Sequence, residues 1–368
     1  MNTDWVAAAI LPNLRAKQAI DGGIIALVPS DDPRVQASCD AHPKLKAFLS
    51  RFTDAFGVPL LPAVLIVRDG IPGIDLRAIV SFRDVVSVCA IPYGRALASI
   101  YPNGGLRLSY SNSFWLYPWM LGKDNEYLYI NTPGVMGSHV VEKFHGQSSP
   151  EIPLKTLDGI DKTLLDALLS RWKRHYVGKR SKWSDIALFR SLNMAMHAAE
   201  LPGGSDTFLY DLGRMAALWV SAFEILSHPG TSKSNLWTVY SLLEKASYSK
   251  RQVGNRRYAA YSKGKKPWPR RPLTCWLYGK LYRARNDFVH GNRVTSKTLQ
   301  PIDLRDSLFW FAPGLFRIAL TGFLGLTFKG KEPEKNELQA VVAYQIAYRR
   351  YMRYQDEIEE ALLQTRKT

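Results

Sequence analysis

Cysteine is scarce in this chain. Cys39, Cys89 and Cys275 are the only three in 368 residues, and no two of them form a CxxC pair. An odd number of distant thiols gives neither a disulfide framework nor zinc-ligand spacing, and reduced thiols fit a cytoplasmic setting. The glycine-rich phosphate loops are missing as well: the sequence has no GxxxxGK[ST], no GxGxxG and no GxSxG. That removes the usual sequence signs of a P-loop NTPase, a dinucleotide-binding unit and a serine hydrolase. Asp4 precedes any basic residue and the apolar stretch at 5–11 is short, which reads against a secretory leader. One apolar run, 308–328, is long enough to be weighed as a membrane span, but Arg317 sits at its middle and Pro313-Gly314 near its start. A central arginine costs roughly 2.5–3.5 kcal/mol on insertion scales. The expectation is a core helix, broken at Pro313, and no membrane partner.

Acidic residues are also in short supply, and unevenly so. The chain holds 49 Lys and Arg against 32 Asp and Glu, a net charge of +17. Residues 1–150 carry 13 basic and 12 acidic side chains, and 151–368 carry 36 and 20. A field this lopsided draws a polyanion to the second part, whether nucleic acid, an anionic membrane face or an acidic protein.

The length suggests two domains. Residues 1–150 read as strand-rich mixed structure. The run 64–67 is apolar and stops at Asp69-Gly70, 78–88 is rich in β-branched residues, and 127–130 alternates before Asn131-Thr132-Pro133. Asn103-Gly104-Gly105 suggests a hairpin turn, and 42–56 a helix. This part shows no catalytic constellation. The loop-forming composition at Gly146–Ser149, followed by Pro150 and Pro153, marks a boundary. Beyond it, 151–368 reads as all-helical, with helices expected at 161–176, 185–200, 210–227, 235–246, 273–289, 304–326 and 334–364. The fold class expected is α+β: a strand-rich first domain, then a helical bundle.

The helix at 273–289 carries the chemistry. Leu277, Leu281, Ala284 and Phe288 fall in a stripe about 60° wide, which should face the core. Asn286 lies opposite the stripe, and His290 is about 40° from Asn286. Arg285 sits at the stripe's edge, about 140° from His290. Gly291 is a helix stop. Taken alone, this pattern also fits a solvated polar face ending in a capping histidine.

Arg285-Asn286-x-x-x-His290 resembles the Arg-x4-His signature of HEPN ribonucleases, in which a polar residue, often Asn, follows the Arg. The segment 217–227, with Glu224 inside an apolar stripe, resembles the long helix preceding that motif in the ApeA-like branch, and Asp287-Phe-Val-His-Gly291 fits that branch too. The likeness covers roughly 155–365. It implies a HEPN-type helical bundle that cuts RNA without a metal or cofactor, leaving a 2′,3′-cyclic phosphate and a 5′-OH. It also implies a homodimer formed through the helical domain, and by analogy a toxin or phage-defence effector whose first domain senses an unidentified trigger. The residues suit that chemistry. RNA supplies its own 2′-OH nucleophile, histidine exchanges protons near neutral pH, and arginine offers a two-pronged cation to phosphate oxygens. Asn286 would orient His290 or bond a phosphate oxygen.

Glu224 reads either as a partner that orients Arg285 or as an ordinary salt bridge to Arg214 or another cation, since a carboxylate in an apolar helix must be paired. Residues 249–271 contain Arg256, Arg257, Lys263, Lys265, Lys266, Arg270 and Arg271, among others, with Tyr258, Tyr261 and Trp268 interleaved and no acidic residue. Cations for phosphates and aromatic faces for bases make a single-strand grip; the alternative is a solvated loop. A second basic run, 171–182, is a weaker candidate of the same kind. His139 and His145 lack a third ligand, so no metal site is expected. The competing readings are a non-catalytic RNA-binding or scaffold protein of HEPN-like fold, and a membrane-associated protein with its basic surface on anionic lipid.

Overall fold

Short strands and long helices make up two units of the chain in a computed structural model. It describes all residues except 1–3, 55, 105–106, 132–135, 142–154, 158, 179–180, 202–207, 265, 335–336 and 367–368. The architecture is α+β. One unit comprises Met1–Ser87, Tyr110–Gly159 and Trp172–Arg180, the other Val88–Ser109, Ile160–Arg171 and Ser181–Thr368. Two of the divisions, at 87/88 and 171/172, fall within helices, whereas composition places a single boundary at 150–153, which lies outside the described residues.

In chain order the first unit contains β1 (Trp5–Leu11), β2 (Leu14–Ala16), β3 (Ile20–Asp21), β4 (Ile25–Pro29), α1 (Pro33–Ala41), α2 (Pro43–Leu49) and β5 (Ala63–Arg68). It then takes the first half of α3 (Leu76–Ile100), followed by β6 (Met120–Leu121), β7 (Tyr127–Asn131), β8 (Met136–Val140) and β9 (Lys155–Leu157). The main sheet has the order β1-β5-β4-β3, all antiparallel, with a register shift between Ala7 and Ala9. Its apolar strands pack on Val35, Leu45, Phe48 and Phe52 of α1, α2 and the turn beyond. Three expectations are corrected. Residues 78–88 are helical, inside α3, because the apolar run continues to Ile100 and is far longer than a strand. Residues 42–56 form not one helix but α2 alone, opened by Pro43 and preceded by the separate α1. The turn at Asn103-Gly104 follows α3 instead of joining two strands, and Gly105 lies outside the described residues.

The second unit is built on α4 (Lys162–Tyr176, in part), α5 (Trp183–Ala198), α6 (Phe208–Leu226), α7 (Leu236–Glu244), α8 (Arg251–Gly254), β10 (Tyr258–Ala259), β11 (Arg270–Arg271), α9 (Leu273–Val289), α10 (Ser296–Leu299), α11 (Leu308–Leu324) and α12 (Leu338–Gln364). Phe223 of α6 meets Tyr278 of α9 and Phe316 of α11 with ring centroids 4.9 and 5.2 Å apart, so the three helices share one aromatic centre. Leu277, Leu281 and Ala284 are buried, as their spacing requires. The ring of Phe288 lies where a Cβ on Gly213 would come within 2.2 Å of it, so α6 and α9 approach closely only because position 213 is glycine.

Helix α11 is not broken at Pro313. Proline removes the amide that would reach Phe309 O, and Arg95 Nη1 donates to that carbonyl instead, at 2.7 Å. The same buried guanidinium donates to Ser109 O and Ala199 O. Arg317, the charge in the middle of the apolar run, is buried against Asp161 at 2.6 Å and bonded to Gln355 of α12. An interior ion pair answers for the charge, and among the described residues no helix is long and apolar enough to cross a membrane. Nearby, the fully buried Glu359 of α12 accepts from the backbone amides of Ser249 and Lys250, at 3.0 and 2.7 Å, and from Gln355 Nε2. Burial raises its pKa and those three donors oppose the rise.

Candidate active site on helix α9

Helix α9 begins directly after β11, with Pro272 before its first turn, and ends where the sequence demands. His290 is its C-cap, and Gly291 follows at φ +71°. The amide of Asn292 then returns to Asp287 O at 3.0 Å, closing a Schellman turn. Asn292 Nδ2 also donates to Asp287 Oδ1. A left-handed residue is strained for any side chain bearing a Cβ, so Gly291 is the position that fixes where His290 stands.

Arg285 leaves the helix toward α6. Its Nη2 donates to Glu224 Oε2 at 3.0 Å and its Nη1 to Asn286 Oδ1 at 3.0 Å, while the guanidinium lies 5.2 Å from the centre of the Tyr282 ring. Glu224 therefore pairs with Arg285, and Arg214 is exposed. Burial raises the Glu224 pKa above the ordinary glutamate value, and the charge and hydrogen bond of Arg285 act against that rise. The pair is half-buried, with side-chain exposures of 20% and 23%.

His290 is exposed, and its imidazole makes no hydrogen bond or ion pair among the described residues. Its amide bonds Asn286 O at 3.0 Å, so Asn286 connects the two halves of the motif: side chain to Arg285, carbonyl to the turn that carries His290. The structure thus brings Arg285, Asn286 and Glu224 together, and His290 joins that cluster only through its backbone amide.

Two residues that the sequence reading did not single out border the cluster. Tyr278 is buried two turns before Arg285 on the same face, and its hydroxyl has no hydrogen-bond partner among the described residues. Burial first, then the nearby Glu224 charge, pushes its pKa well up. Tyr282 follows one turn later and carries the guanidinium. The signal was present as aromatics at i−7 and i−3 from the arginine, but such spacing is equally that of a core stripe.

The basic segment is ordered by pairing. Strands β10 and β11 form a short antiparallel ladder, Tyr258 opposite Arg271 and Ala259 opposite Arg270. Arg271 is committed to structure: it bonds Glu244 at 2.7 Å and stacks over Trp237 and Tyr240. Arg256 lies over the Tyr258 ring, and Arg256, Arg257, Lys263, Lys266 and Arg270 are exposed. Lys265 lies outside the described residues, as does His145. The second basic run is shared between the two units, and Arg171 in it is paired with Asp185 at 2.9 Å. No group of His, Cys, Asp and Glu that could hold a metal ion occurs among the described residues. Comparison of the chain with protein-family models, with curated proteins and with solved structures gave no match.

Proposed function

We propose that the helical unit is a HEPN-type endoribonuclease that needs no metal, with Arg285, Asn286 and His290 as its active centre. The observation that carries the reading is the arrangement around Arg285: a guanidinium held by Glu224 on a neighbouring helix and by Asn286, one turn before a histidine left free at the helix end. The reaction needs few parts. A neutral imidazole takes the 2′-OH proton, O2′ attacks the adjacent phosphorus, and the P–O5′ bond breaks as O5′ receives a proton. The products are a 2′,3′-cyclic phosphate and a 5′-OH. Charge rising on the phosphate oxygens is met by the guanidinium, whose geometry Glu224 and Asn286 fix in advance.

One imidazole cannot be acid and base in the same instant. Two chains related by a two-fold axis would offer one histidine for each role and bring an arginine and a histidine from different directions onto one phosphate. A homodimer through the helical unit is therefore part of the proposal. A role as a cytoplasmic toxin or phage-defence effector, with the first unit answering a trigger, follows from the family likeness.

A non-catalytic RNA-binding or scaffold protein is the second reading. It is favoured by the fact that Arg285 already has a carboxylate and an amide oxygen as partners and so resembles a structural ion pair. Purified protein incubated with end-labelled RNA in EDTA separates the two. Cleavage that stops at the cyclic phosphate, spares DNA of the same sequence and falls by about 10²–10⁴-fold in His290→Ala supports the enzyme. RNA binding without cleavage at any protein concentration supports the scaffold.

A further inference from the structure

Helix α9 has a second polar face. Arg283 precedes His290 by seven residues, which on helical spacing places it about 20° from the histidine and about 10 Å along the axis. Arg285 points away, toward α6. Arg283 is exposed and has no hydrogen-bond or ion-pair partner among the described residues. It borders a cleft of about 450 Å³ whose walls include Tyr261, Trp268, Trp276, Lys297 and Ile302. That volume falls within the range of about 300–1,000 Å³ usual for ligand clefts. A more open hollow of about 890 Å³ continues it over Lys263 and Lys266 and shares Tyr261, Trp268 and Arg283.

Three separate pieces of chain build the cleft. The β10–β11 hairpin supplies Tyr261 and Trp268, whose rings meet edge-on at 5.5 Å. Its backbone lies close on α9 because position 279 is glycine: a Cβ there would come 3.1 Å from Tyr261 Cβ and 2.6 Å from Tyr240 Oη. Helix α9 supplies Trp276 and Arg283. The chain leaving His290 and Gly291 returns through α10, which is capped by the reciprocal bonds of Thr295 and Thr298, and supplies the far wall. One carboxylate, Asp287, lines the cleft and accepts from Asn292 Nδ2, and Asp303 nearby is paired with Lys280 at 2.7 Å. Arg283, Lys297, Lys263 and Lys266 have no such partners among the described residues, so the cleft is aromatic on its walls and its rim cations outnumber its one carboxylate, Asp287.

We infer that this cleft takes an unpaired base of a single RNA strand, with Arg283 on the adjoining phosphate, and lays the strand along α9 toward His290. Every base has a π-face, so stacking on Trp268, Tyr261 and Trp276 grips a single strand with little regard to sequence. A base held in a duplex cannot enter. The inference names the substrate for the proposed ribonuclease, and it rests on that reading for the direction of the strand but not for the binding.

The test measures binding and cutting apart. Full-length His290→Ala protein is titrated with a fluorescein-labelled 15-nucleotide oligouridine in EDTA, following anisotropy and tryptophan emission. The single strand is expected to bind and quench tryptophan emission, and the same strand annealed to oligoadenosine to bind at least ten-fold more weakly. Arg283→Gln, an exposed and fold-neutral change, is expected to weaken single-strand binding about ten-fold and Trp268→Ala as much, while Trp268→Phe keeps most of the affinity. Equal affinity for single strand and duplex, or unchanged affinity in both Arg283→Gln and Trp268→Ala, would overturn the cleft. Uridine monophosphate binding as tightly as the oligomer would overturn the strand. Wild-type protein that cuts RNA while both Arg283→Gln and Trp268→Ala bind normally sinks the cleft and spares the ribonuclease. Cleft-dependent binding with no cutting in the wild type does the reverse.

Discussion

Two arginine–carboxylate pairs in the helical unit share the same chemistry and differ in what surrounds them. Arg317 and Asp161 meet at 2.6 Å with side-chain exposures of 5% and 4%, and Gln355 closes the remaining side. Arg285 and Glu224 meet at 3.0 Å with exposures of 20% and 23%, over an aromatic ring, and Asn286 takes the next guanidinium donor. The first pair is sealed and can only hold helices together. The second keeps a guanidinium in place while leaving part of it within reach of a phosphate. On the proposed reading, access, more than the identity of the partners, separates the structural ion pair from the one that serves catalysis.

That contrast can be broken from the sealed side first. Arg317→Ala leaves Asp161 buried and unpaired and is expected to cost about 3–5 kcal/mol, much of the roughly 5–15 kcal/mol that holds a domain. The urea midpoint measures it, and Arg317→Met together with Asp161→Leu is expected to recover most of the loss. A drop in stability no larger than that of an average surface change would mean that the pair does not hold the bundle.

Arg285→Ala is the matching change at the open pair. A stability cost of about 1–3 kcal/mol is expected from the half-buried Glu224 left behind, with RNA cleavage down about 10²–10³-fold. Single-turnover assays on protein shown to be folded read the second effect. Intact cleavage would reduce this pair to the same role as the sealed one.

A smaller effect is expected with pH. Burial makes Glu224 hold its proton to a higher pH than an ordinary glutamate at 4.5, against the opposing pull of Arg285. Because its folded pKa is raised, this group favours the fold most below the unfolded value, and that contribution fades as pH rises through the folded value. On acidification, by contrast, Arg285 loses its anionic partner. The acid limb of cleavage due to Glu224 should therefore lie above 4.5, and Glu224→Gln should remove its contribution. A limb identical in wild type and variant would separate Glu224 from the chemistry.

The smallest effect is expected at the rim. Changing Lys263, Lys265 and Lys266 together to Gln should flatten the dependence of log affinity on log salt for single-stranded RNA by up to about 2. An unchanged slope would make these lysines merely solvated.

Most of the long helices of the second unit could be read from the sequence because they carry an apolar periodicity of adequate length: α9 runs over Leu273–Val289, the span its periodicity gives, and Gly291 ends it. On that helix the angle of Arg285, at the stripe's edge, fits its reach to Glu224 of α6, whereas His290, the C-cap, lies beyond the turns that ideal angles describe. What could not be read depends on distant partners. The run at 78–88 has β-branched residues that suit a strand and is buried on nearly every side, so it shows no one-sided helical stripe, and only its continuation to Ile100 marks it as helix. Continuity of α11 through Pro313 depends on Arg95, more than 200 residues earlier. The cleft beside Arg283 needed three segments to meet, and the pairing of two-residue strands leaves no periodicity to detect.

Glu359 fixes the start of the basic segment by holding the amides of Ser249 and Lys250, yet it comes 88 residues after Arg271 in the chain. Synthesis proceeds from the N-terminus, so the hairpin, the motif helix and α11 all leave the ribosome before the carboxylate that anchors the segment leading to them. Gln355, which completes the seal around Arg317, arrives in the same late helix. A nascent chain therefore passes its RNA-rich surroundings with the basic segment unanchored and the bundle unsealed. On the proposed reading, the order of translation delays the full grip on RNA until α12 has docked.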